Sequence, residues 1–150
     1  MAEIEIDDLD RRIVEILRHD GRATLADVGQ RIGLSSPAVK RRLDRLQQLG
    51  VITGFGARID DAKLGRPLQA FTELRFVGNT KVADIAGVAR GLPEVQAVFT
   101  LAGDPDAIVW LRVRDTRHLT ETIDQLRRSN NVAGTKTLMV LNTWEPAERP

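Results

Sequence analysis

Two arginines in the first third of the sequence have a spacing that suits contact with nucleic acid. Arg41 and Arg45 are four residues apart, so in a helix they lie about one turn apart on the same face. An arginine can bind the O6 and N7 acceptors of guanine through two hydrogen bonds. Ser35 and Ser36 precede them, where the free N–H groups of a helix start can hold phosphate. This pattern predicts a helix that enters the major groove of DNA; an amphipathic helix with solvated arginines is the alternative.

Charge is distributed unevenly along the 150-residue chain. Basic and acidic residues nearly balance, at 22 and 21, but residues 11–60 hold ten bases and five acids. A compact basic block is typical of a module that binds a polyanion. The absence of cysteine excludes disulfides, thiolate zinc sites and cysteine nucleophiles. No apolar run approaches the ~20 residues of a membrane span and the acidic start does not suit a secretory signal, so we expect a cytoplasmic protein.

Three short helices are predicted to position the basic side chains. Apolar residues recur every three or four positions over about residues 8–19, 24–32 and 36–49. Gly33 follows the second helix as a residue that tolerates positive φ. Two short helices joined by a tight turn, with a helix packed ahead of them, form a helix-turn-helix. The second helix of such a pair presents its N-terminal residues to the major groove.

Capping residues support these helix boundaries. Asp7 or Asp8 is the expected N-cap of the first helix, and Thr24 that of the second. For the third helix we expect Ser36 at the N-cap and Pro37 at the first helical position, where its missing N–H is not needed.

A predicted extended segment and a linker separate two domains. Residues 51–59 have the apolar spacing of a strand, which would form a wing on the helix-turn-helix, and residues 60–67 are typical of a turn. We therefore predict a helix-turn-helix DNA-binding domain with its following strand over residues 1–59, a linker over 60–67 and a sheet domain over 68–150.

The sheet domain has the pattern of a ferredoxin-like fold. Strands are predicted over residues 68–77, 95–102, 107–113 and 135–143. Two helical stretches separate them, and their apolar positions are Val82, Ile85, Ala86 and Ala89 in one and Leu119, Ile123 and Leu126 in the other. The order βαββαβ predicts an α+β protein in which a winged helix-turn-helix precedes a ferredoxin-like domain.

The predicted sheet is apolar on both faces. Val109 and Leu111 alternate with Ile108 and Trp110 in the third strand. The two helices cover one face, so a second copy of the sheet is the economical cover for the other, and we expect a homodimer. Packing against the first domain is the alternative.

An enzyme has little support in the sequence. The two histidines, His19 and His118, lie at predicted helix ends, and no catalytic triad, Walker loop, dinucleotide fingerprint or zinc-protease motif is present. We therefore expect no catalytic residue, no metal and no cofactor. Asp104 and Asp106 are interpreted as turn residues, and the acidic start, residues 1–10, as a solvated tail.

Four stretches of the sequence resemble the Lrp/AsnC family of feast/famine regulators. They are DDLDRRIVEILRHDGRATLADVGQRIGLSSPAVKRRLDRLQQLGVITGFGARID, KLG at 63–65, AGDPD at 102–106 and VAGTKTLMVLNT near the end. The resemblance implies a sequence-specific transcription regulator whose dimers assemble further, often to octamers, and whose sheet domain binds amino acids. The positions that it assigns to double-stranded DNA are Ser35, Ser36, Pro37, Ala38, Lys40, Arg41 and Arg45.

The resemblance also implies an effector loop. The family's Gly-Asp-aromatic-Asp turn corresponds to Gly103, Asp104, Pro105 and Asp106, with proline in place of the aromatic residue. The expected effector-binding positions are Thr100, Leu101, Ala102, Gly103, Asp104 and Asp106, completed by Thr135 and Thr137, which a neighbouring subunit would supply. Backbone N–H groups near Gly103 could bind a carboxylate, and Asp104 or Asp106 an ammonium group.

Two alternatives remain open. A haem-biosynthetic decarboxylase of similar fold would need a large tetrapyrrole pocket with basic or histidine groups. A regulator without a small-molecule effector is the second alternative, and Pro105 motivates it.

Overall fold

The structure, a computed structural model, describes residues 5–78, 80, 84, 86–128 and 131–144. The chain divides into two compact units between Arg58 and Ile59. No helix within the described ranges is long and apolar enough to cross a membrane.

The first unit contains three helices, as the apolar periodicity predicts. Helix α1 spans Asp8–His19, α2 spans Leu25–Ile32 and α3 spans Ser36–Gln48. One apolar side-chain cluster holds them together, and its buried members are Ile13, Val28, Ile32, Val39 and Leu46.

The turn between α2 and α3 depends on two glycines. Gly33 ends α2 with a φ of 75°, which glycine adopts without the strain of a side chain. The backbone N–H of Leu34 donates to the carbonyl of Gly29 at 2.9 Å. A Cβ at Gly29 would collide with the carbonyl oxygen of Leu34, so the close approach of the turn to α2 requires glycine there.

Helix α3 begins one residue earlier than expected. Its N-cap is Ser35, whose carbonyl accepts the first helical hydrogen bond from the N–H of Val39 at 3.0 Å. The prediction that Ser36 caps the helix is therefore wrong. Ser36 is the first helical residue and Pro37 the second. Proline is tolerated at this position because the N–H groups of the first helical turn have no acceptor within the helix.

The predicted strand over residues 51–59 does not form. Val51 and Ile52 pack against the helical core, and both of their N–H groups donate to the carbonyl of Leu46. Beyond them the backbone continues without regular pairing, and Phe55 is exposed. A strand needs a neighbour for its N–H and C=O groups, and no segment of the described ranges pairs with this one.

The second unit is a four-stranded antiparallel sheet with a helix. Its strands are β1 Leu68–Phe76, β2 Val95–Thr100, β3 Ala107–Val113 and β4 Val132–Met139, in the order β2-β3-β1-β4. Helix α4, Thr116–Arg127, connects β3 to β4. Strand β4 starts and ends a few residues before the predicted range of 135–143. The order and the α+β class are those predicted for a ferredoxin-like domain.

The first predicted helix of this domain falls partly outside the described residues. Val82 and Ile85 are not among them, and the described part ends in a short 3-10 helix, Ala86–Ala89. Before β1, residues 60–66 form a hydrogen-bonded turn in which Arg66 pairs with Asp61 at 2.6 Å.

One face of the sheet is covered by helix α4, and the other is open. One face is buried, with Leu74 from β1 and Val109 and Leu111 from β3 in a cluster that includes Leu119 of α4. The register places Phe71, Trp110 and Leu138 together on the opposite face, because directly paired residues of antiparallel strands point the same way. Those side chains form an apolar patch on the open face, as the sequence predicts, and the register places the charged residues Glu73, Arg112 and Lys136 on the same face.

Candidate nucleic-acid interface and effector loop

The N-terminal half of α3 offers the predicted DNA-contacting surface. Ser35, Pro37, Lys40 and Arg41 are exposed. The hydroxyl of Ser35 makes no capping hydrogen bond, so the start of the helix keeps free donors. No hydrogen bond or ion pair links Arg41 to any other described residue.

Lys40 has a partner on the same helix. Its Nζ lies 2.7 Å and 3.0 Å from the two carboxylate oxygens of Asp44, one turn later. Both side chains are largely exposed, so water and salt weaken this pair. A phosphate could replace Asp44 as the partner of Lys40.

Arg45 does not project beside Arg41 as the helical spacing suggests. Its Nη1 donates to Oδ2 of Asp10 at 2.9 Å, and its Nη2 donates to the carbonyl of Glu5 at 2.7 Å. Arg42 also turns toward α1, where its Nη1 donates to Asp10 at 2.8 Å and to Asp7 at 2.6 Å. Two of the three arginines of α3 therefore bind α1.

The end of the acidic start is structural, so its interpretation as a solvated tail is wrong for Asp7 and Asp10. Asp7 caps α1 and accepts the N–H of Asp10 at 2.8 Å. That hydrogen bond, followed by the one from Arg42, lowers the pKa of Asp7. The carboxylates of Asp10 and then Asp7 raise the pKa of Arg42.

Sequence reasoning missed Asp10, although two signals were available. Asp7 and Asp10 have the same spacing as the capping pair Thr24 and Asp27. Asp10 also lies three residues before the buried Ile13, on the side of α1 that faces the core.

The predicted effector loop connects β2 to β3. The N–H of Leu101 donates to the carbonyl of Asp106 at 2.8 Å, which closes the loop. Asp106 fixes it to β1, since its N–H donates to the carbonyl of Leu74 and its Oδ2 accepts the N–H of Phe76 at 2.7 Å. Ala102 and Gly103 are exposed on this loop, and Thr100 is exposed at the end of β2.

Asp104 is paired as well. Nε of Arg75 donates to its Oδ1 at 2.6 Å, and this carboxylate raises the pKa of Arg75. Both candidate carboxylates of the loop therefore already have partners. Oδ1 of Asp106 remains without a hydrogen bond to a described residue.

The two β4 threonines make their side-chain hydrogen bonds away from the loop. The hydroxyls of Thr137 and Thr72 are 3.0 Å apart, and Nε of Arg127 donates to Thr135 at 2.8 Å. The expectation that they complete an effector site from a neighbouring subunit stays a prediction.

Features of an enzyme site are scarce in the described ranges. No group of three or more His, Asp or Glu side chains there could hold a metal ion. His118 binds Glu94 through Nε2 at 2.8 Å and accepts the N–H of Arg114 at Nδ1, so its ring links α4 to the start of β2.

Two family models match the chain on either side of residues 48–68. An AsnC-type helix-turn-helix domain matches residues 6–47, and an Lrp/AsnC ligand binding domain matches residues 69–150. The chain belongs to the Lrp/AsnC family. It is a transcriptional regulator of that type, with its helix-turn-helix in α1 to α3 and its ligand-binding domain in the sheet unit.

Relatives match almost the whole chain. The HTH-type transcriptional regulator LrpA of Mycobacterium tuberculosis is 34% identical over 93% of this chain and 92% of its own length. The HTH-type transcriptional regulator FL11 of Pyrococcus horikoshii is 31% identical over 98% of this chain and 97% of its own.

Solved Lrp/AsnC structures share the fold. A feast or famine regulatory protein from M. tuberculosis, complexed with L-methionine, has a TM-score of 0.89 at 32% identity, and the match covers 97% of this chain and 99% of that one. A transcriptional regulator from Neisseria meningitidis, also complexed with L-methionine, has a TM-score of 0.86 at 26% identity over 94% and 93% of the two chains.

Proposed function

We propose that this Lrp/AsnC regulator binds specific sequences of double-stranded DNA through α3 and acts in the cytoplasm, where bacterial and archaeal DNA lies. The observation that carries the proposal is Arg41, which is exposed near the start of α3 in the basic block of the chain and has no partner among the described residues. The proposed contacts are Ser35, Ser36, Pro37, Ala38, Lys40 and Arg41. Arg45, the remaining predicted position, donates to Asp10 and Glu5 instead.

The open face of the sheet supports a homodimer. Phe71 stacks on Trp110 with ring centroids 6.5 Å apart, and Phe99 and Leu138 are each 49% exposed. A facing protomer would cover these apolar side chains. Two copies of α3 could then bind half-sites about 34–36 Å apart, and further assembly to octamers is what the family resemblance implies.

An amino acid or related small metabolite is the proposed effector. Two solved relatives hold L-methionine, and the loop of this chain offers N–H groups near Gly103 and the Oδ1 atom of Asp106, to which no described residue donates. A bound ammonium could use Oδ1 while Oδ2 keeps the N–H of Phe76. The remaining proposed positions are Thr100, Leu101, Ala102, Asp104, Thr135 and Thr137.

A regulator without an effector is the second candidate. Pro105 replaces the family's aromatic residue, and Asp104 is paired with Arg75. A thermal-shift screen with the twenty amino acids separates the two candidates, because a ligand at 100 times its Kd stabilises the folded state by about 2.7 kcal/mol. We propose no enzymatic activity, since the relatives are named transcriptional regulators.

DNA binding is tested with duplexes that the wild-type protein enriches from a random pool. We expect Arg41→Ala to abolish protection of the enriched sequence in footprinting, while circular dichroism and oligomer mass stay unchanged. A variant that protects the same bases as the wild type would show that α3 is not the recognition helix.

A further inference from the structure

A buried carboxylate links α1 to the recognition helix. Asp10 is fully buried, and each of its two oxygens accepts a hydrogen bond from a different arginine of α3. Arg42 also donates to the carboxylate of Asp7, and Arg45 also donates to the carbonyl of Glu5. The guanidinium groups are thus held by several acceptors in one geometry.

These contacts divide the basic residues of α3 into two groups. Arg42 and Arg45 are bound to a carboxylate that water does not reach, and a phosphate would have to break charge-assisted hydrogen bonds to capture them. Among the described residues, Lys40 is bound only to Asp44, whose side chain is 46% exposed. Arg41 has no partner among the described residues and can turn to a base edge without losing one.

We infer that Asp10 is a positioning residue for DNA recognition: it fixes α3 against α1 and withholds Arg42 and Arg45 from phosphate, which leaves Arg41 as the arginine that discriminates bases. The inference rests on the proposed function. Phosphate contacts strengthen binding to every sequence, whereas base contacts distinguish sequences. Withholding two arginines therefore lowers the non-specific background against which Arg41 acts.

The test compares Asp10→Asn with Asp8→Asn in the full chain. Asp8 lies on the same first turn of α1 and is exposed, so its variant changes the net charge equally without touching the arginines. Affinity is measured from 50 to 300 mM KCl for two duplexes of equal length, one enriched by the wild type from a random pool and one of mixed sequence.

We expect Asp10→Asn to steepen the plot of log affinity against log salt on the mixed-sequence duplex. The expected change in slope is about 0.9 per freed arginine in each protomer, up to about 1.8. The ratio of affinities for the enriched and mixed duplexes should fall at least about tenfold, since α3 loses its fixed orientation. Asp8→Asn should have the same slope and the same ratio of affinities as the wild type, to within measurement error.

Arg45→Gln and Arg41→Gln provide a test that does not depend on Asp10→Asn being folded. Arg41→Gln should lower the ratio of affinities for the enriched and mixed duplexes at least about tenfold, and Arg45→Gln should leave the slope on the mixed-sequence duplex unchanged. Circular dichroism below the unfolding temperature confirms that each variant is folded.

The possible failures are distinguishable. If the wild type binds neither duplex, the proposed function itself is wrong. If the wild type binds but Asp10→Asn matches Asp8→Asn in slope and ratio, or Arg45→Gln lowers the slope on the mixed-sequence duplex by about 0.9, then Asp10 does not withhold the arginines and the inference is overturned.

Discussion

Oδ2 of Asp10 accepts a hydrogen bond of 2.9 Å from Nη1 of Arg45, which joins a fully buried carboxylate on the first helix to an arginine side chain that is 47% exposed on the third. The same carboxylate binds Arg42 through its other oxygen. A buried charge is tolerated only when it is paired, so these contacts tie the folding of α1 to that of α3.

Removing the buried carboxylate should destabilise the helical unit. We expect Asp10→Ala to lower the free energy of unfolding by about 3 kcal/mol, because it removes two charge-assisted hydrogen bonds and leaves a cavity. Asp8→Ala should cost less than about 1 kcal/mol. Hydrogen exchange of the α1 and α3 amides measures the loss of stability in each variant. Equal losses of protection in Asp10→Ala and Asp8→Ala would contradict the structural role of Asp10.

The capping pair of α2 should make stability depend on pH. Thr24 donates to the carboxylate of Asp27 through its hydroxyl at 2.6 Å and its N–H at 3.1 Å, and these contacts lower the pKa of Asp27 below 3.8. A carboxyl group with a lowered folded-state pKa contributes stability that is present above pH 3.8 and lost as the pH falls through the folded value.

Comparison with Asp27→Asn isolates this contribution. We expect the wild type to have the higher urea midpoint at pH 7, and the difference to shrink as the pH falls from 4 to 2.5. Circular dichroism of the helices follows the unfolding. A difference that stays constant over this range would show that the charge of Asp27 has no role in the cap.

A charge within the apolar patch of the open sheet face should break the proposed dimer. We expect Leu138→Lys to produce a monomer by light scattering, because a lysine would be buried there without a partner. Leu64→Lys is the control, since Leu64 is also exposed but lies in the turn before β1. A dimer that survives Leu138→Lys would place the interface elsewhere.

Two substitutions at Asp106 separate effector binding from loop structure. Asparagine keeps an oxygen for the N–H of Phe76 but loses the charge, so Asp106→Asn should fold normally and lose any thermal shift caused by an amino acid. Asp106→Ala should also lose about 1 kcal/mol of stability. Both variants should retain DNA binding. An undiminished shift in Asp106→Asn would remove Asp106 from the effector site.

The sequence by itself determined the local structure. The caps at Asp7 and Thr24, the stop at Gly33 and the apolar periodicity place α1 and α2 at their observed bounds, because these signals depend on contacts a few residues apart. Strand alternation likewise predicted that Val109 and Trp110 face opposite sides of the sheet.

Only the tertiary structure decided which arginines of α3 have no partner among the described residues and are available for DNA. Helical spacing puts Arg41 and Arg45 on one face, but it cannot show that Arg45 turns to a carboxylate 35 positions earlier, since that contact depends on how α1 packs against α3. The close approach of Leu34 to Gly29 and the hydrogen bond from Phe76 to Asp106 also depend on how separate segments pack together. The segment 51–59 is the converse case: it forms no strand ladder with the described residues, since a strand-like pattern does not create the neighbour that a strand requires.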